Sequence, residues 1–142
     1  MDLINEADAF FWRILVCHKH PFSARLHFLV PENTGVVLPE PLPRLAVIAE
    51  CGQDTVIQCH PSAALCSFQE IMGIKQTLEI VSDFDLLMEV PGHLVSIYLA
   101  ALSGHDLFEP PEGTCWVELL QCVERPWLDR EILRRAYEVL MG

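Results

Sequence analysis

The chain has 142 residues, 51% of them hydrophobic, and nine basic against 20 acidic residues give a formal net charge of −11. This size fits a single domain over residues 1–142 with a proper core, and the apolar content excludes a disordered chain. The acidity argues against a nucleic-acid partner, no apolar run approaches the ~18–20 residues that span a bilayer, and Met1–Glu6 lack the basic-then-apolar pattern of a secretory signal, so a cytoplasmic protein away from membranes is expected.

In chain order, residues 2–9 are polar enough for a short helix or an unstructured lead-in. Phe10 to Cys17 is an apolar run that reads as a buried strand ended by Pro21. Arg25–Val30 is a second strand, and the turn-rich Pro31-Glu32-Asn33-Thr34-Gly35 predicts a hairpin over 25–38 with Val36-Val37-Leu38 returning. Pro39, Pro41 and Pro43 punctuate a short linker before a strand at Leu45–Glu50, and Thr55-Val56-Ile57 is a further short strand.

Ala64, Leu65, Phe68, Ile71 and Met72 recur at helical spacing, Pro61 suits a first turn, and Gly73 suits a C-terminal stop. Thr77–Ser82 and Gly92–Leu102 follow as strands, while Asp83–Val90 is ambiguous between strand and loop. Glu109–Gly113 is a loop and Glu112–Leu120 carries another strand, with Trp116 in it. The closing helix is the clearest element: Asp129 caps it, Leu128 and Leu133 occupy staple positions, and Ile132, Leu133, Ala136, Tyr137 and Leu140 form its apolar stripe. Strands in this order with two helices predict an α/β (α+β) fold, a mixed sheet between helices.

Residues 52–74 carry the most specific signal. Gly52, Gln58, Cys66, Ser67, Phe68, Glu70, Ile71, Gly73 and Ile74 fall at the spacing G-x5-E-x7-R-E-U-x-E-E-x-G-U, where U is a bulky aliphatic residue. The stretch resembles a Nudix box in which most catalytic carboxylates are replaced. Gly35–Glu40 resembles the strand that leads into such a box, and Trp116-Val117 resembles the family's later tryptophan-bearing strand end. The resemblance implies an α/β/α sandwich of the Nudix type, acting on nucleoside diphosphate derivatives with Mg²⁺ or Mn²⁺.

In that family the helical glutamates lie at i, i+3 and i+4 and converge on a hard cation held together with substrate phosphates. Here the same face is Ser67, Glu70 and Ile71, and Cys66 lacks the planar multi-donor fork of the family's arginine. Glu70 is therefore the single catalytic and metal-ligand candidate. The expectation is a Nudix-like binding or regulatory module of weak or absent activity and without a cofactor. It would take a nucleotide-derived small molecule or a protein partner. The alternatives are a divergent Mg²⁺- or Mn²⁺-dependent hydrolase using Glu70 with acids such as Asp83, Asp85 and Glu89, and an interaction protein unrelated to Nudix enzymes.

Six cysteines, Cys17, Cys51, Cys59, Cys66, Cys115 and Cys122, form no C-x-x-C pair, and the spacings around Cys17-His18-Lys19-His20 and Cys59-His60 are not those of a structural zinc site. Packing roles are expected for them, with Cys59 beside His60 the best-placed nucleophile if one exists. Arg125, Arg130, Arg134 and Arg135, interleaved with Glu131 and Glu138, read as a solvated, salt-bridged helix face. The high hydrophobicity also suggests a homodimer, in which a second copy covers apolar surface.

Overall fold

The computed structural model describes residues 11–23, 25–43, 45–49, 60–104 and 106–141, with His93 described by its backbone alone. The expectations for residues 2–9, Cys51, Gly52, Thr55–Ile57, Gln58 and Cys59 lie outside the described residues.

Among the described residues, seven strands form one mixed sheet: β1 (Trp12–Lys19), β2 (Leu26–Pro31), β3 (Val47–Ile48), β4 (Leu78–Ile80), β5 (Leu86–Val90), β6 (His93–Leu102) and β7 (Thr114–Glu118). Their order is β3-β5-β6-β1-β2-β7, and β4 also pairs with β6. The pairing of β1 with β6 is parallel, in register from Trp12↔Ser96 to Cys17↔Ala101; the others are antiparallel. The ten-residue β6 is long enough to hold β5 along its first half and β4 along its last residues, both on the side away from β1. Helix α1 (Pro61–Met72) precedes β4, and α2 (Trp127–Met141) closes the described chain after a 3₁₀ turn at Leu119–Cys122.

The strand period of two divides the core between the two sheet faces. On β1, Leu15 and Cys17 join Phe28, Val30, Ile97, Leu99 and the α2 residues Ile132, Leu133 and Ala136. Ile14 and Val16 point the other way, into a second cluster with Leu29, Ala100 and the α1 residues Ala64, Leu65 and Phe68. A central strand covered by a helix on each face has no polar side to show. Trp12 through His18 are accordingly all buried, the apolar residues of the Phe10–Cys17 run together with Arg13 and His18. Arg13 is tolerated there because its Nε donates to the Glu40 carbonyl at 2.8 Å and an Nη donates to the Trp12 carbonyl at 2.9 Å.

Several local expectations are corrected. Residues 25–38 are not a hairpin: β2 pairs with β1 and β7, and Leu38 crosses to form an isolated bridge with Ile14, N–H to O at 2.8 and 2.9 Å. The turn at Gly35 (φ +85°) serves that crossing, and a Cβ there would fall 2.7 Å from the Pro41 Cβ. The strand expected over Leu45–Glu50 is confined to Val47–Ile48, whereas the ambiguous Asp83–Val90 is a strand from Leu86, with Leu86, Met88 and Val90 buried. Helix α2 begins at Trp127, so Asp129 sits inside its first turn and is not its N-cap. Ile71 and Tyr137, both assigned to apolar stripes, are 55% and 41% exposed.

Candidate functional site

Helix α1 carries Cys66, Ser67, Phe68, Glu70 and Ile71, and Gly73 and Ile74 follow its end. His60, in extended conformation, caps it by accepting the Ser62 N–H on Nδ1 at 3.1 Å, and Pro61 occupies the first turn, where its missing N–H costs nothing. His60 is thus the cap of α1, and Cys59, the candidate nucleophile beside it, lies outside the described residues. At the other end Gly73 adopts φ 71° and returns its N–H to Gln69 O. The Gln69 side-chain amide donates to the Ile74 carbonyl at 3.1 Å and the Gln76 carbonyl at 2.9 Å, tying the chain that leads into β4 back to the helix.

Ala64, Leu65 and Phe68 face the sheet, so the other faces of α1 are left for chemistry. One flank opens on a groove of about 710 Å³ against β4. Its apolar walls include Leu65, Ile74, Leu78 and Ile80; Ser62, Cys66, Gln69, Glu70, Lys75 and Glu79 supply its polar groups. Cys66 and Glu70 are therefore brought together in one groove. Ser67 and Ile71 are exposed but do not line it. The face of Ser67, Glu70 and Ile71 is thereby split, with Glu70 on the groove side and a hydroxyl and a hydrocarbon beside it.

Ser62, Gln69, Lys75 and Glu79 were not singled out from the sequence. The signal that finds three of the helical groove residues is the 4-3 spacing of Ser62, Cys66 and Gln69, which puts them on one helix flank. Lys75 and Glu79 join them only through the fold, because β4 pairs with the end of β6 beside α1.

The acids proposed as substitutes do not line this groove. Asp83 lies in an exposed turn, and Asp85 and Glu89 are exposed before and within β5. Among the described residues no group of three or more His, Cys, Asp or Glu side chains is placed to hold a metal ion. The donor set at α1, whose single acid is Glu70, does not fit the Mg²⁺ or Mn²⁺ that a Nudix box holds.

A second polar group lies where β1 ends against β2. His18 and His27 are register partners there; His18 is buried, its Nε2 is 3.0 Å from the Gly104 carbonyl oxygen, and among the described residues neither Nδ1 has a hydrogen-bond partner. Burial pushes the His27 imidazole down, opposed by Glu118 and reinforced by Arg25, His18 and His20. His20 accepts the Phe22 and Ser23 N–H groups on Nδ1 at 3.2 and 3.1 Å. On the neighbouring β7, the Trp116 indole donates to the Phe108 carbonyl at 2.8 Å and packs edge-on against the Phe108 ring, fastening residues 106–113 to the sheet.

Two of the four clustered arginines behave as a salt-bridged surface. Arg134 pairs with Glu131 and Glu138 at 2.6 and 2.8 Å, and Arg135 pairs with Glu131 at 3.0 Å, which holds the Glu131 carboxyl down at about 2. Arg125 serves the fold, donating to the Gly35 carbonyl at 2.6 Å. Cys17 and Cys122 are buried, and burial pushes the Cys17 thiol up to about 12, so it packs as an inert hydrophobe. Cys66 is exposed. The described residues contain no helix long and apolar enough to cross a membrane.

No protein-family model matches the sequence, and no curated protein sequence matches it. Among solved structures, the crystal structure of C. elegans Ap4A hydrolase matches with a TM-score of 0.56 and 19% identity, over 91% of this chain and 96% of that chain. The shared feature is the fold: a mixed sheet with two helices, Nudix-like, as the box skeleton implied.

Proposed function

We propose that this Nudix-like chain is a binding module that uses the groove between α1 and β4 and does not perform metal-dependent hydrolysis. The observation that carries this reading is the composition of the α1 face. Glu70 is the helix's one carboxylate, and Ile71 places an exposed hydrocarbon where a further metal ligand would be needed. A divalent cation shared with substrate phosphates requires several oxygens at one point. Glu70, joined in the groove by Glu79 of β4 but by no third ligand of that kind among the described residues, supplies too few.

The groove that remains has the character of a small-molecule site. Its volume of about 710 Å³ falls in the usual ~300–1,000 Å³ range, and carbon walls with a few polar groups are the usual makeup. Leu65, Leu78 and Ile80 offer surface to a flat apolar group, and Lys75 offers a cation to a phosphate. Gln69, Glu70 and Glu79 offer acceptors for hydroxyl or amino donors. A nucleotide-derived small molecule satisfies all three chemistries.

The test is a heteronuclear NMR titration with ADP-ribose, NADH and diadenosine polyphosphates, in the presence of a chelator. Saturable shifts are expected at the amides of Ser62, Gln69, Lys75 and Glu79, weakened in Lys75→Glu. Saturable shifts confined to other residues, or none, contradict the assignment of the groove.

A further inference from the structure

We infer that two copies of the chain associate through the outer stripe of α2 and the adjoining 3₁₀ turn. The stripe is Trp127, Arg130, Arg134, Tyr137 and Met141, all exposed and spaced 3-4-3-4 along the helix. This is the spacing of a helix–helix seam, and it flanks the face formed by the buried Ile132, Leu133 and Ala136. A helix of this length with one apolar face against its own sheet needs no second one. Beside the stripe, Leu120 and Val123 stand 82% and 61% exposed and, with Tyr137 and the Leu133 edge, line a small cleft of about 280 Å³. Half of the large hydrophobic residues that are exposed among the described residues lie in this one segment. Isolated apolar residues at a surface are ordinary, but a contiguous set of this kind marks a contact site.

Charge identifies the occupant. Residues 119–141 contain four acids and four arginines, so the entire formal net charge of −11 resides outside them. This segment is where two copies can meet without like-charge repulsion, and its mixed signs are self-complementary under a two-fold axis. An antiparallel pairing of α2 helices centred on Arg134 sets Trp127 level with Met141 of the second copy and Arg130 level with its Glu138. Among the described residues Arg130 has no carboxylate partner of its own, its Nε donating to the Arg125 carbonyl at 3.0 Å. Arg134, at the axis, is already bracketed by Glu131 and Glu138 of its own helix. The helix is about 22 Å long. Leu120 and Val123 widen the contact beyond a single helix pair, toward the ~1,200 Å² at which specific interfaces begin.

Sedimentation equilibrium of the wild type, Arg130→Glu, Glu138→Arg and the double variant tests the pairing, with circular dichroism confirming that each is folded. The wild type is expected to show a monomer–dimer equilibrium. Each single reversal should weaken it by about tenfold by creating a like-charge contact, and the double variant should recover it. A wild type that stays monomeric, a dimer that neither single reversal weakens, or a double variant that fails to recover overturns the proposal.

Discussion

Installing glutamate at positions 67 and 71 should turn α1 into a divalent-cation site, because it restores carboxylates at i, i+3 and i+4 around Glu70. The cost in stability follows from the exposure of the two positions. Ile71 is 55% exposed, so Ile71→Glu forfeits about half of the ~1.5–3 kcal/mol that full burial of such a side chain contributes, or about 1 kcal/mol. Ser67 is exposed, and its replacement alone falls within about 0.5 kcal/mol. Two like-charge contacts on the helix add about 0.2–0.5 kcal/mol each. Without metal, Ser67→Glu/Ile71→Glu should therefore lose roughly 2 kcal/mol, a fall in Tm of about 4–8 °C for a chain of this size. Mn²⁺ at a hundred times its dissociation constant would return about 2.7 kcal/mol and reverse the loss. Thermal unfolding followed by circular dichroism, in chelator and then across a Mn²⁺ series, reads both effects. The wild type should not respond to the metal, and adding Glu70→Gln to the double variant should abolish its response. A wild type stabilised by Mn²⁺ through Glu70, or a double variant that gains nothing, would refute the reasoning that positions 67 and 71 are what the site lacks.

Further outcomes follow from the packing and the titrating groups. Phe68 is fully buried between α1 and the sheet, so Phe68→Ala should lower the unfolding free energy in urea by about 3–5 kcal/mol, and a loss below about 1 kcal/mol would contradict its place in the core. The folded chain disfavours protonated His27, so the unfolded chain takes up that proton first and stability should fall as pH drops below about 6.5 until the folded pKa is passed. Urea titrations across that window should show a shallower slope in His27→Gln, and an unchanged slope would exclude His27 as its source. Alkylation of the folded protein, located by mass spectrometry, should modify the exposed Cys66 and leave Cys17, whose thiol burial holds at about 12, untouched until unfolding. Early labelling of Cys17 would contradict its burial.

What could be read from the sequence was what is local. The spacing of Ala64, Leu65 and Phe68 located α1 and its core face, Pro61 and Gly73 located its ends, and the apolar run Phe10–Cys17 located the central strand. Periodicity failed where it met a surface: Ile71 and Tyr137 fit helical stripes, yet both are exposed, since apolar spacing records which residues can be buried and not which neighbours arrive. The partners of β2 were hidden because β7 lies more than eighty residues later in the chain, and the nearer Val36–Leu38 is carried across to β1. The groove was half legible. The helical flank with Cys66 and Glu70 follows from spacing, but Lys75 and Glu79 reach it through β4, whose position depends on the length of β6. The His18–His27 pair was missed for the same reason, being a matter of strand register.

The most direct measurement is prolonged incubation of the wild type and Glu70→Gln with ADP-ribose, diadenosine polyphosphates and nucleoside triphosphates in Mg²⁺ and in Mn²⁺, with products resolved by chromatography. Product formation equal to the protein-free blank for both proteins is the predicted result. Metal-dependent turnover by the wild type that disappears in Glu70→Gln would contradict a module that binds without hydrolysing.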